Sequence, residues 1–252
     1  INDGKVTANG GNLSAGIGSG NRASSSGDIT INGGIVRTEA LTRKETLGSV
    51  GIGSCRFGYG GSVTINGGTV MANASHDAIC TGRGGSITIN GGDITARGGL
   101  AGLGSGNGIG PSRIASADIT INGGNIDAST NREGAAIGGV YLTTVKITGG
   151  TIKAVSNAIA AIGSPKYNAG SVSITGGKVT ASSKNAGAGI GGGDEGNGED
   201  ITITGGEVKA SSENVGAGIG GGYKGDGKRI KITDGTVDAA SDKGAGIGGG
   251  DD

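Results

Sequence analysis

Apolar residues recur along the chain in a three-part beat. In the copy that opens at Ile201, ITI sets Ile201 and Ile203 on one face and Thr202 on the other. EVKA then buries Val208 and Ala210, and GAGIG alternates Ala217 and Ile219 with outward glycines. Alternation with period two is the mark of a strand with one buried face. Between these segments lie three corners: Thr204 to Gly206, Ser211 to Val215, and the more variable Gly221 to Arg229. Aligned on the residue that opens the first strand, copies start at Ile29, Val63, Ile87, Ile119, Val145, Val172, Ile201 and Ile230, spaced 24 to 34 residues apart, after a truncated copy at Ile1. Three short strands and three corners make one coil of a solenoid, whose apolar face is buried only by its neighbours. The expected fold is therefore all-β, a right-handed single-stranded parallel β-helix (β-solenoid) of about nine coils, three short strands per coil, in one domain over residues 1–252. Coils about 4.8 Å apart would build a rod roughly 40 Å long.

The copies are not equally regular. Residues 1–144 carry insertions in a second corner, Arg37 to Ser49, and in a third corner, Gly104 to Asp118; residues 145–252 keep the beat. GAGIGGG at Gly187, Gly216 and Gly244 becomes VGIGSC, DAICTG and GAAIGGV in the earlier copies. Regular coils read as scaffold, and irregular ones as the place where a site is grafted. Neither end carries a recognisable polar cap, so the sequence is expected to be a piece of a longer protein with flanking domains, or a subunit that associates end to end.

Composition pulls the other way at first. With 62 glycines and 2% aromatic residues the chain looks like low-complexity sequence. Yet disorder does not keep Ile, Val and Ala at fixed offsets, and two prolines without a three-residue glycine period exclude collagen. Lys plus Arg equals Asp plus Glu at 21 each, so no net field draws the chain to nucleic acid or an anionic membrane. No apolar run is long enough to span a bilayer as a helix, so no membrane insertion is expected. Eight of nine arginines lie at or before Arg132, whereas ten of twelve lysines lie at or after Lys146, so the halves have diverged. The two cysteines, Cys55 and Cys80, fall in successive copies but about two residues out of register, at the limit of what a disulfide spans.

Candidate chemistry collects at the corners. Phe57, Tyr59, Tyr141, Tyr167 and Tyr223 all lie four to seven residues after the third-strand isoleucine of their copy, along one edge of the rod. Aromatic rings there offer faces on which sugar rings stack, and Arg56 beside Phe57 adds paired donors for hydroxyls or a sugar acid. The alternative is that the rings are lids over a glycine strand whose backbone needs cover. Outward positions of the first strand form a near-threonine column, Thr30, Thr64, Thr88, Thr120, Lys146, Ser173, Thr202 and Lys231. Beside it runs a second column, Asn32, Asn66, Asn90, Asn122, Thr148, Thr175, Thr204 and Thr233. Such arrays resemble ice-binding faces, but two lysines interrupt this one, and a hydrogen-bonded polar ladder is the favoured reading.

Asp93 and Asp127 lie on second strands of successive copies, with Arg97 and Lys153 near, as a lyase or hydrolase would need; their registers differ by two residues, which favours solvated surface charge. Asp194, Glu195, Asn197, Glu199 and Asp200 crowd one corner with enough oxygen for a single hard cation, but the corner does not repeat. His76, the only histidine, has no evident serine or cysteine constellation. The glycine runs lack the Lys-Ser/Thr ending of a phosphate loop, and neither a cofactor nor a metal is expected.

Taken together, ITINGG and GAGIGGG are similar to glycine-rich repeats of large secreted and cell-wall-attached proteins of anaerobic Gram-positive bacteria. More distantly they resemble a carbohydrate-binding right-handed β-helix family of cellulose-degrading clostridia. That family carries acidic calcium-binding variants where this chain has glycine, as at Ala188 to Gly193. The resemblance implies a non-catalytic extracellular module, secreted or cell-wall attached, that is adhesive or binds a polysaccharide or cell-surface glycan. The expected ligand-binding residues are Arg56, Phe57, Tyr59, Tyr141, Tyr167 and Tyr223. The competing readings are a structural stalk or filament subunit, an ice-binding solenoid, and a β-helical lyase or hydrolase.

Overall fold

The computed structural model describes residues 1–20, 27–41, 48–54, 61–99, 107–111, 116–131, 134–139, 143–164 and 170–251. Among these the regular elements are all strands, paired only in parallel, in a right-handed β-helix with three strands per coil. The residues that open the copies stack directly on one another: Ile29 on Val63, Val63 on Ile87, then Ile119, Val145, Val172, Ile201 and Ile230. Second strands run in one row from Lys5–Asn9 to the far half of Ile230–Ser241. Third strands form a separate nine-stranded sheet from Ala15–Ser19 to Ile247–Gly248. Complete coils are fewer than the nine expected, because the truncated copy, Lys5–Asn9 and Ala15–Ser19, adds rungs to the second and third rows only.

The core is a column of Ile, Val and Ala enclosed by the two sheets. Ile201, Ile203, Ala217 and Ile219 are fully buried, and Val208 and Ala210 nearly so, as the alternation requires. Small and β-branched side chains suit this column, because parallel strands buried on an inner face pack like on like at a spacing of one rung. In the two copies from Ile201, first and second strands merge into one bent twelve-residue strand, Ile201–Ser212 and Ile230–Ser241. The corner expected at Thr204 to Gly206 therefore survives as an irregularity of register rather than a break.

Polar ladders hold the corners. Asn66 donates its side-chain amide to Asn32, Asn90 to Asn66 and Asn122 to Asn90, at 2.7–2.8 Å, and Asn32 continues the line to Asn2. Thr148 Oγ1 closes it on Asn122 at 2.9 Å. The column beside the threonines is thus a zipper running along the rod, as the ladder reading expected, and its amides are already spent on one another. A second ladder lies inside. Ser183 Oγ donates to Ile159 O at 2.9 Å, Ser212 Oγ to Gly187 O at 3.1 Å and Ser241 Oγ to Gly216 O at 2.6 Å, each tying the end of a second strand to the coil before. Buried carbonyls at a corner would otherwise be unsatisfied.

The third strand departs from expectation. GAGIGGG does not form a flat strand with glycines facing solvent: only Ile190–Gly192, Ile219–Gly220 and Ile247–Gly248 are strand, and Gly187 to Gly193 are all buried. The Ala188 amide donates to Gly192 O, and Ala217 to Gly221 O, bending the segment sharply. Gly191 has φ +133°, and a Cβ there would stand 2.1 Å from Gly220 O. Gly163 and Gly220 repeat the arrangement at 2.3 and 1.9 Å from the next coil's glycine oxygen. A Cβ on Gly192 would meet Gly196 O at 2.0 Å, because the following corner folds back over the strand. Glycine is used here as a seam that lets backbones close on each other, not as a bare platform.

Candidate functional site

In the regular coils the third corners, 193–200 and 222–229, adopt one conformation and stack. Glu195 and Lys224 occupy the same left-handed backbone position, φ 55° and 54°, as do Asp200 and Arg229 at 52° each. Main-chain bonds knit the two: Glu195 N to Tyr223 O, Gly198 N to Asp226 O, Gly222 N to Gly196 O and Lys228 N to Gly198 O. Asp226 N also donates to Asn197 Oδ1 at 2.9 Å. The result is an ordered polar edge on which each side chain has a fixed height.

Tyr223 is the one sequence-predicted ligand-binding residue among the described residues. It is half-buried, with the ammonium of Lys224 5.0 Å from its ring centre, within cation–π range. Arg56, Phe57, Tyr59, Tyr141 and Tyr167 lie outside the described residues. The acidic corner is engaged from the coil above. Arg229 donates through Nε to Asp200 Oδ1 at 2.5 Å and through Nη2 to Asp200 Oδ2 at 2.9 Å, with Glu199 Oε2 at 3.4 Å. A guanidinium fork on a carboxylate is the geometry that suits both partners. It engages two of the acidic side chains of this oxygen-rich corner, Asp200 and Glu199; among the described residues no group of three His, Cys, Asp or Glu is arranged for a metal.

These hydrogen bonds hold the Asp200 carboxyl below its ordinary value of 3.8, and raise that of Arg229. The folded-state value is the lower one, so this clasp is complete above the ordinary carboxylate range and is lost as pH falls through the depressed value. In an NMR titration the Arg229 Nε proton is expected to move with a midpoint below 3.8, and Asp200→Asn should abolish that component of the movement. A midpoint at or above the ordinary value would show that the clasp does not form in solution.

The candidate acids of the second strands do not meet. Asp93 stands opposite Asn125, and Asp127 opposite Thr95 and Lys153, so the two carboxylates occupy different columns. The surface-charge reading of these residues fits that placement.

His76 is not isolated, contrary to the sequence reading. It lies against the third strand Asp77–Thr81, where its Nδ1–H donates to Asp77 Oδ2 at 2.8 Å, and Cys80 Sγ stands 3.6 Å from the same oxygen. Asp77 Oδ1 accepts the Asn107 amide at 2.7 Å, and Asn107 Oδ1 accepts that of Ala135 at 3.0 Å. All of these side chains are buried. Asp77 and Asn107 sit in a column that is otherwise apolar: Ala15, Val50, Ala135, Ala160, Ala188, Ala217 and Ala245. In regular coils the amide at this position is satisfied by the carbonyl four residues on. In the irregular coils the carboxylate and amide side chains supply that acceptor. Two polar residues in an inward column were the available signal. Cys80 also touches Thr81 O at 3.4 Å, and Cys55 lies outside the described residues.

A family model described as beta helix repeat matches residues 1–21, 63–79, 87–112, 119–139, 145–164, 172–194, 201–223 and 230–251. No curated protein and no solved structure matches the chain. The matched segments follow the stacked rungs and omit the copy from Ile29, which the structure nonetheless pairs with the coils on either side. With repeats matched over more than half its length and with this stacking, the chain belongs to the β-helix repeat family.

Proposed function

We propose that this β-helix is a non-catalytic module of a secreted or cell-wall-attached bacterial protein, and that it holds a polysaccharide or cell-surface glycan along the third-corner edge. The observation that carries the reading is the register of the corners at 193–200 and 222–229. Main-chain bonds between coils hold Tyr223, Lys224, Asn197 and Asp226 at set heights on an edge that costs little further ordering on binding. A polymer with a regular repeat suits a regularly stepped edge, because several weak contacts joined on one rod act at high effective concentration. The glycine strand behind the edge contributes rigidity, not a stacking surface.

A glycan array with the full chain tests this, repeated with Phe57, Tyr59, Tyr141, Tyr167 and Tyr223 all changed to alanine. Binding is expected for the parent and a loss of about tenfold or more for the variant, since each ring contact contributes about 0.5–1.5 kcal/mol. Undiminished binding by the variant would remove the aromatic edge from the reading, and no binding by the parent would leave a structural stalk in its place.

A further inference from the structure

The outer face of the second-strand row carries two parallel columns of side chains in its first three rungs. Thr7, Arg37 and Met71 stack in one, and Asn9, Glu39 and Asn73 in the other. Together they line a depression of about 150 Å³. On the same face in the regular coils, charges that meet in register are used to zip rungs together: Lys178 with Glu207 at 2.9 Å and Lys209 with Asp238 at 3.4 Å. In the depression the pattern is withheld. Arg37 and Glu39 are exposed, each has neutral residues above and below, and neither enters an ion pair among the described residues. Asn73 Oδ1 is buried without a donor among the described residues, so this oxygen gives up no hydrogen bond if the side chain turns toward the depression.

We propose that this depression is a second carbohydrate subsite, which takes one neutral hexose unit of an oligosaccharide. The guanidinium fork of Arg37 and the carboxylate of Glu39 supply donors and acceptors in the plane of a sugar ring, as vicinal hydroxyls require. The amides of Asn9 and Asn73 and the hydroxyl of Thr7 add both kinds of partner. Met71, half-buried at the end of the Arg37 column, offers an apolar contact for a C–H face. One positive and one negative charge cancel, which matches an uncharged sugar; a sugar acid would meet Glu39. The site is separate from the third-corner edge and stands or falls without it.

The test is amide chemical-shift mapping of the full chain with a panel of neutral oligomers of glucose, mannose and galactose, and with an oligogalacturonate. At least one neutral oligomer is expected to shift the amides of Thr7, Arg37, Glu39 and Met71, with affinity in the millimolar range. Arg37→Ala combined with Glu39→Ala should weaken it about tenfold or more, because charge-assisted hydrogen bonds are lost, while the melting temperature stays unchanged. The variant lacking the five corner aromatics should keep these shifts, which separates this subsite from the edge. Silence across the panel, shifts that persist in the double variant, or tighter binding of the galacturonate would each overturn the proposal.

Discussion

Gly191→Ala is expected to lower the melting temperature by about 10 °C, because a cost of about 3 kcal/mol translates to that shift in a chain of this size. The residue holds φ +133° in the third-strand seam, and the added Cβ would stand 2.1 Å from Gly220 O in the next coil. That neighbour is backbone, and backbone in a stacked rung cannot step aside without parting the two coils. Solenoid stability is a sum of coil and nearest-neighbour interface terms, so the damage should concentrate where Ile190–Gly192 meets Ile219–Gly220. Hydrogen exchange should show lost protection there before the first rungs respond. Gly11→Ala is the control. Its nearest neighbour would be Ser14 Oγ at 3.8 Å, and the change should cost under about 1 kcal/mol. A Gly191→Ala protein as stable as its parent would mean that the seam is looser than described and that these glycines serve another purpose.

The second large effect is expected at Asp77. Asp77→Ala should destabilise the fold by about 3 kcal/mol, because it strands the Asn107 amide and the His76 ring in a dry interior. Asp77→Asn keeps an acceptor for Asn107 and should cost about 1 kcal/mol. Denaturant unfolding of the two variants side by side is the measurement, with exchange of the Asn107 amide as the local reporter. Equal stabilities for the alanine and asparagine variants would show that the side-chain acceptor does not replace the missing main-chain one. The two sites solve one problem in different ways. In the regular coil Gly192 O satisfies the amide of Ala188; in the irregular one Asp77 Oδ1 does so for Asn107.

Much of this architecture is visible in the residues themselves. Ile, Val and Ala at intervals of two must share a face, and a unit of this length with three such stretches buries them only by stacking. Thus the eight openings from Ile29 to Ile230 could be aligned by eye, and all of them prove to be rungs of one column. The asparagine zipper was legible for the same reason: identical residues at identical offsets land on top of one another when the repeat stacks.

Other features depended on contacts between residues far apart in the chain. Alternation of glycine with alanine and isoleucine says which side chains point inward. It does not say what fills the outward space, and here the returning corner at Gly196 and the carbonyl of the neighbouring coil fill it. His76 looked solitary because its partner, Asp77, acts through a carboxylate that turns inward and reaches an amide thirty residues on, a contact that no local pattern displays. The acidic corner showed only a crowd of oxygens, and that Arg229, one coil later, lies across it is a contact the sequence did not display. The depression around Arg37 and Glu39 is made by three rungs from separate copies, none of which is unusual alone. The sequence by itself determined the repeat, the inward faces and the parallel stack, since these follow from local periodicity and the need to bury apolar surface. Only the tertiary structure decided which outward groups meet and which remain unpaired, because that depends on the ångström-scale approach of one coil to the next.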